Sequence, residues 1–200
     1  ARHDADDVSA PQRLDAQATY LASRPDVAVL ATLADYIDAR GRTVDNDWVR
    51  SVRIQHDAAL TPGQVAGLMP LTCCITHGSV MARTEVLRAA GGYHRNIWPV
   101  EDYDLWLRLL PDVAIAKLPE RLYRYRIHDK QLSAHVRGQQ LVEALSAKFR
   151  YLRRMYPQLP TPARLAVVGE GRGADGYRSL APVHGFRVVR PKPVWIGIPS

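Results

Sequence analysis

The sequence predicts an α/β protein, on three observations. Short apolar runs of strand character alternate with segments of helical periodicity along most of the chain. Apolar residues fill 46% of the 200 positions and charged residues 24%, the balance of an ordinary globular chain with a core of its own. Three prolines between residues 157 and 162 separate a long first part from a short second one.

The elements follow in order. After the acidic run Asp4-Ala5-Asp6-Asp7, Ser9 reads as an N-cap, with Gln12 completing a capping box and Pro11 in the first turn. Leu14, Ala18 and Leu21 then repeat at helical spacing to about Ser23, where Arg24-Pro25-Asp26 stops the helix. The apolar residues 27–31 read as a buried strand. Residues 35–53 read as strand, turn at Gly41, strand. Residues 61–70 form a short helix opening on a Thr-Pro cap, and residues 79–82 a strand. Residues 84–90 form a helix closed by Gly91-Gly92 in left-handed conformation.

Residues 101–110 are an amphipathic helix with Leu105, Trp106, Leu109 and Leu110 on its apolar side, closed by Pro111. Two strands follow, 113–116 and 121–127, the second alternating apolar and basic residues as a half-wet strand does. Residues 139–156 make a longer, arginine-bearing helix. The predicted organisation is therefore a domain over 1–156, a linker over 157–162 and a small Rossmann-like α/β extension over 163–200. In the extension, a strand-like run leads into Gly169-Glu170-Gly171-Arg172-Gly173-Ala174, the pattern of a phosphate-cradling turn, but no acidic residue follows Asp175 to hold a ribose.

The chain opens on Ala-Arg-His-Asp rather than Met, without the apolar stretch of a signal peptide. It is expected to be a fragment whose N-terminal part lies upstream. No window approaches the ~18 consecutive apolar residues of a membrane-spanning helix. The net charge of +7 comes mainly from arginines scattered among apolar residues. Aromatic residues do not interleave with them as a stacking platform for single strands requires, so no nucleic-acid partner is expected. Cys73 and Cys74 are adjacent, cannot form an ordinary cross-link with each other, and read as small core residues in a reducing compartment.

Three constellations carry chemistry. Carboxylates gathered at Asp4, Asp6 and Asp7 suit a hard divalent cation, Mg²⁺ or Mn²⁺, that also holds substrate phosphates. Taken alone, the same run reads as an acidic helix start. Glu101, Asp102 and Asp104 open a helix, where an ionised carboxylate can face a cleft and serve as a general base, or merely complement the helix dipole. Asp104 and Arg108, four apart, are expected to pair on the helix surface. His77 and His128 each sit at a strand end, as a metal or phosphate ligand or as a polar rim residue.

Together these segments resemble the inverting glycosyltransferases of family two, with the GT-A (nucleotide-diphospho-sugar transferase) fold. Four stretches carry the resemblance, in order: Arg2-His3-Asp4-Ala5-Asp6-Asp7 running to Arg13-Leu14; His77-Gly78-Ser79-Val80-Met81 running to Gly91-Gly92-Tyr93; Glu101-Asp102-Tyr103-Asp104-Leu105-Trp106; and Tyr125-Arg126-Ile127-His128 with Leu132-Ser133. It covers roughly residues 1–135, with the N-terminal half of the GT-A domain missing. It implies a DxD motif at Asp4 and Asp6, binding the donor and a divalent ion (Mg²⁺ or Mn²⁺) with Asp6 the more direct ligand. His128 would reach the metal or the diphosphate. Asp102 would be the base that deprotonates the acceptor hydroxyl, Glu101 would orient or bind the acceptor, and His77 would lie near it. Arg126 and Lys130 would assist the leaving group.

The resemblance further implies a nucleotide-sugar donor, UDP-linked, and a glycan or lipid-linked acceptor in bacterial surface polysaccharide assembly. The setting would be the cytoplasm or the inner face of the membrane, with peripheral membrane association. The fragment alone would be inactive. Two other readings stand beside it. A nucleotidyltransferase would use the same acidic metal site without Asp102, and a non-catalytic binding module would use neither.

Overall fold

The computed structural model describes residues 1–129, 131 and 136–190. Lys130, Leu132 and Ser133 lie outside the described residues, as does the segment 191–200 of the extension. The elements are β1 (Val8–Ser9), α1 (Arg13–Ser23), β2 (Val27–Ile37), α2 (Asp47–Asp57), α3 (Pro62–Leu68), β3 (Met81–Ala82), α4 (Thr84–Ala89), α5 (Glu101–Leu109), β4 (Ala114–Arg126), α6 (Arg137–Met155), β5 (Ala163–Ala166), α7 (Arg172–Leu180) and β6 (Phe186–Val189). A short 3₁₀ turn, His77–Ser79, leads into β3.

One mixed sheet runs β1-β4-β2-β3, with β2 and β4 parallel and the two edge strands antiparallel. β2 is its apolar axis, because helices cover both faces. Val27 and Leu30 pack with Leu21 of α1 on one side. Val29 and Ala31 pack with Leu105, Trp106 and Leu109 of α5 on the other. A register shift between Val27 and Val29 sends these near neighbours to opposite faces. A second, two-stranded parallel sheet pairs β5 with β6 across α7. Phe149 of α6 is fully buried against Ala163, Ala181 and Phe186, so α6 forms part of both cores.

Several local expectations are corrected. Ser9 is not a helix cap: it lies in β1, paired opposite Tyr123, and its hydroxyl accepts from the Arg13 guanidinium at 2.8 Å. Helix α1 starts at Arg13, behind Gln12, with no side-chain cap bond. Over residues 35–53 the expected strand and Gly41 turn occur and Thr43 bridges back to Ile37, but the second strand goes no further and a helix takes its place. β2 continues to Ile37, the chain turns at Gly41 (φ 80°), and α2 begins behind Asn46, whose side-chain Oδ1 accepts the Val49 N–H at 2.9 Å. Only Val49 of α2 is fully buried, so its apolar periodicity is faint. The two strands expected over 113–127 are one, β4, broken by a bulge. Leu118 pairs with Thr32 and Arg121 with Leu33, so Pro119 and Glu120 bulge out, where proline needs no ladder partner. The Thr-Pro cap at Thr61 occurs as expected, completed by Gln64 into a full capping box, and so does the Gly91-Gly92 helix end.

Asp104 is not on the surface. It is buried at the centre of an ion cluster, with Arg108 at 2.9 Å, Arg150 at 3.0 Å and His94 at 3.1 Å. Arg108 also donates to the carbonyls of Ala90 and Gly92, which closes the end of α4. Many other arginines likewise satisfy main-chain carbonyls: Arg83 those of Val27 and Leu21, Arg121 that of Ala34, and Arg124 that of Gly41. The positive charge therefore serves the fold at many points instead of forming one basic tail. No helix among the described residues is long and apolar enough to cross a membrane.

Candidate functional site

The parallel strands β2 and β4 point their carboxyl ends, at Ile37 and Arg126, toward one cleft of about 850 Å³. In open α/β sheets this is the edge where ligands bind. The cleft is lined by the acidic residues Asp4, Asp6 and Asp7 on one side and by Glu101 and Asp102 at the start of α5 on the other. His77, from the 3₁₀ turn, and His128, just beyond β4, complete the lining. Apart from Lys130, which lies outside the described residues, the residues assigned to the site from sequence thus line one space.

The acidic segment is held by a buried frame. The Tyr123 hydroxyl donates to Asp7 Oδ2 at 2.6 Å and accepts the Asp4 main-chain N–H at 3.1 Å. Asp7 Oδ1 accepts the Arg126 main-chain N–H at 2.6 Å. Both Asp7 oxygens are therefore engaged, and burial pushes its carboxyl up against these two bonds. Asp7 is a structural anchor, neither a helix start nor an outward ligand. Behind Tyr123 lies Arg13, 1% exposed, with its guanidinium 4.9 Å from the ring centroid. Arg13 donates to Gln17, Ser9 and the Arg2 carbonyl, and Gln17 donates in turn to the carbonyls of Leu30 and Ser79.

Gly78 fits this frame tightly. A Cβ there would overlap the Tyr123 hydroxyl and come within 2.8 Å of Asp4 Oδ2. The absence of a side chain lets the 3₁₀ turn lie against the acidic segment.

In front of the frame, Asp6 and Asp4 behave differently. His128 Nε2 stands 2.8 Å from Asp6 Oδ2, and this contact chiefly holds the Asp6 carboxyl below the usual carboxylate range. Asp4 is drawn the other way, paired at 2.6 Å with Arg2. Among the described residues no three His, Cys, Asp or Glu side chains are gathered closely enough to hold a metal ion by themselves. Asp6 and His128 offer two donors, which fits an ion that takes its remaining ligands from phosphate oxygens and water. The Arg126 guanidinium donates from Nε to the Asp6 carbonyl and from Nη1 to the Asp38 carbonyl, which ties it to the acidic segment and to the end of β2.

At the other end, Asp102 Oδ1 accepts the Tyr103 N–H at 2.7 Å, and burial raises its carboxyl despite that bond. A carboxylate pushed toward neutral pH is suited to proton abstraction. His77 Nδ1 stands 3.8 Å from Asp102 Oδ2, and burial depresses the imidazole to about 4. His77 is thus uncharged at neutral pH and forms no ion pair there. Its Nε2 lies 2.9 Å from the Tyr93 hydroxyl. Glu101 Oε2 is buried and has no hydrogen-bond partner among the described residues.

Four residues that organise the site were not singled out from sequence: Arg2, Arg13, Tyr93 and Tyr123. Tyr123 sits in the alternating strand and Arg13 in the first helix, where both look like ordinary packing or surface positions. Only the fold, which brings β1 against β4, joins them to the acidic segment.

No protein-family model matches the chain. Over 133 residues it is 31% identical to the O-antigen biosynthesis glycosyltransferase WbnJ of Escherichia coli, covering 65% of this chain and 48% of that protein. Over 127 residues it is 28% identical to the amylovoran biosynthesis glycosyltransferase AmsE of Erwinia amylovora, covering 63% of this chain and 44% of that protein. The chain spans just under half the length of these relatives. It is similar to glycosyltransferases of O-antigen and amylovoran biosynthesis over about two thirds of its own length.

Proposed function

We propose that the protein transfers a sugar, with inversion, from a nucleotide-sugar donor to a glycan or lipid-linked acceptor in polysaccharide assembly. One observation carries the reading. Two acidic sets nearly a hundred residues apart line a single cleft, one ending in an exposed carboxylate–imidazole pair and the other in an enclosed carboxylate with a raised pKa. This is the division of labour that an inverting displacement needs. The similarity to WbnJ and AmsE supports it, and the partly exposed rings of Trp48 and Trp98 at the cleft offer aromatic faces to a sugar.

In this reading Asp102 takes the proton of the acceptor hydroxyl as its oxygen bonds to the anomeric carbon. The anomeric C–O bond to the diphosphate breaks from the opposite face, and its electrons stay on the leaving nucleoside diphosphate. Glu101, with its unpartnered oxygen, accepts a hydrogen bond from the acceptor. Neutral His77 lies beside Asp102 and completes that end. Asp6 and His128, with Asp4 nearby, would hold a Mg²⁺ or Mn²⁺ ion, which supplies charge neutralisation on the diphosphate when bound. The Asp6–His128 contact keeps Asp6 ionised for that purpose.

The test is calorimetry on the full-length protein with UDP, GDP or dTDP, with and without Mn²⁺. The reading expects Mn²⁺-dependent binding that Asp6→Ala weakens by about tenfold to a hundredfold, the loss of one charged ligand. Binding that ignores both Mn²⁺ and Asp6 would refute the donor site.

A further inference from the structure

Arg2 lines the cleft beside Asp4, and neither the donor end nor the acceptor end uses it directly. Its main chain is fixed at both ends. The N–H donates to the Val80 carbonyl at 2.7 Å, and the carbonyl accepts from the buried Arg13 at 2.7 Å. Its side chain is 37% exposed and bonds Asp4 at 2.6 Å, with a second bond to the His3 carbonyl at 2.8 Å. The same positive charge is felt at Asp102 and Tyr93, where it opposes the burial that raises both, and at His77, where it adds to the burial that lowers it. The guanidinium is therefore bonded to the donor-side acid and within electrostatic reach of the acceptor-side base.

In an in-line displacement the transferred sugar must lie between the leaving diphosphate and the attacking oxygen. With the diphosphate at Asp6 and His128 and the base at Asp102, that span is the one Arg2 faces. A guanidinium carries five N–H donors in a rigid fork and no acceptor. Asp4 and the His3 carbonyl engage two of its nitrogens, so N–H groups remain for the oxygens of a ligand. A carbohydrate presents hydroxyl oxygens at fixed angles, which a pinned fork can sort.

Resting on the transferase reading, we propose that Arg2 is a specificity-determining residue that donates hydrogen bonds to hydroxyl oxygens of the transferred sugar, aimed by its pairing with Asp4. The alternative role, a counter-ion that merely steadies Asp4, makes a different prediction. A counter-ion affects the binding of every metal-bound nucleotide equally, whereas a sugar contact affects only the nucleotide that carries a sugar.

The experiment uses the full-length protein, with whichever of Mn²⁺-UDP, Mn²⁺-GDP or Mn²⁺-dTDP it binds, and the corresponding glucose and galactose conjugates. Arg2→Gln is expected to weaken conjugate binding by about tenfold to a hundredfold, the loss of charge-assisted hydrogen bonds, and to leave the bare nucleotide unchanged. Arg2→Lys, which keeps the charge but not the fork, is expected to keep nucleotide binding and to alter the glucose-to-galactose preference. Equal losses for nucleotide and conjugate, or no loss for either, would overturn the assignment. If the unmodified protein binds no nucleotide at all, the transferase reading itself fails before Arg2 is changed.

Discussion

The Tyr123 hydroxyl bonds two acidic residues at once, donating to Asp7 at 2.6 Å and accepting the Asp4 main-chain N–H at 3.1 Å. Through this one oxygen, strand β4 sets the path of a segment more than a hundred residues earlier. Asp6, between the two bonded residues, is thereby presented to His128. The buried frame, rather than the acidic residues alone, makes the segment a site.

Tyr123→Phe is accordingly expected to lower stability by about 1–3 kcal/mol, because it leaves the buried Asp7 oxygen short of a donor. Urea unfolding measures the loss. The same variant should also weaken Mn²⁺-dependent nucleotide binding, since the Asp4–Asp7 turn loses its anchor. Full retention of both would show that the frame is incidental.

Two histidines predict how stability varies with pH. Burial depresses His56, beside the Lys117 ammonium, and His77 to about 4 each. Between the ordinary value of 6.5 and about 4, the unfolded chain binds protons that the folded chain refuses. Stability therefore falls as pH drops through this window, by up to about 1.4 kcal/mol per pH unit for each histidine. Asp7 and Asp102, whose carboxyls are raised, act in the opposite sense, so the comparison must be with a variant. His56→Gln should show a shallower acid-side decline than the unmodified protein in urea titrations at pH 4 to 7. Identical slopes would contradict the burial argument.

Asp104 tests the support behind the acceptor end. Its buried carboxylate joins Arg108 and His94 to Arg150 of α6. Asp104→Asn removes the buried charge that Arg108 and Arg150 share and is expected to destabilise by about 1–3 kcal/mol, since both guanidinium groups keep part of their hydration. Thermal or urea unfolding reads the effect, and a change below about 1 kcal/mol would mean that the cluster is weakly coupled.

The legible and illegible parts of this protein divide along physical lines. Helices α3, α4 and α5 carry local signals, a Thr-Pro cap, a double glycine and an apolar stripe, and all three appear where those signals fall. Helix α2 was misread because its buried face is a single valine and its cap an asparagine that also suits a turn. Ser9 was misread because its local pattern is that of a cap, while the long-range pairing with Tyr123 decides its conformation. The site residues were legible as motifs; their support was not. Tyr123 acts through a contact spanning 119 residues, and Arg2 and Arg13 are both tied to the distant Val80 carbonyl, which no local window contains. Asp104 likewise showed its helical partner Arg108 but not Arg150, 46 residues away.

In the proposed function, the donor and acceptor ends of the cleft form one catalytic site with Asp102 as its base. The direct measurement is sugar transfer by the full-length protein and its Asp102→Asn variant, alongside Mn²⁺-dependent nucleotide binding by both. The account predicts a fall in turnover of about 10²–10⁴-fold, the contribution of a general base, with nucleotide binding retained. Unchanged turnover in Asp102→Asn would contradict it, and would point to chemistry at the acidic segment alone.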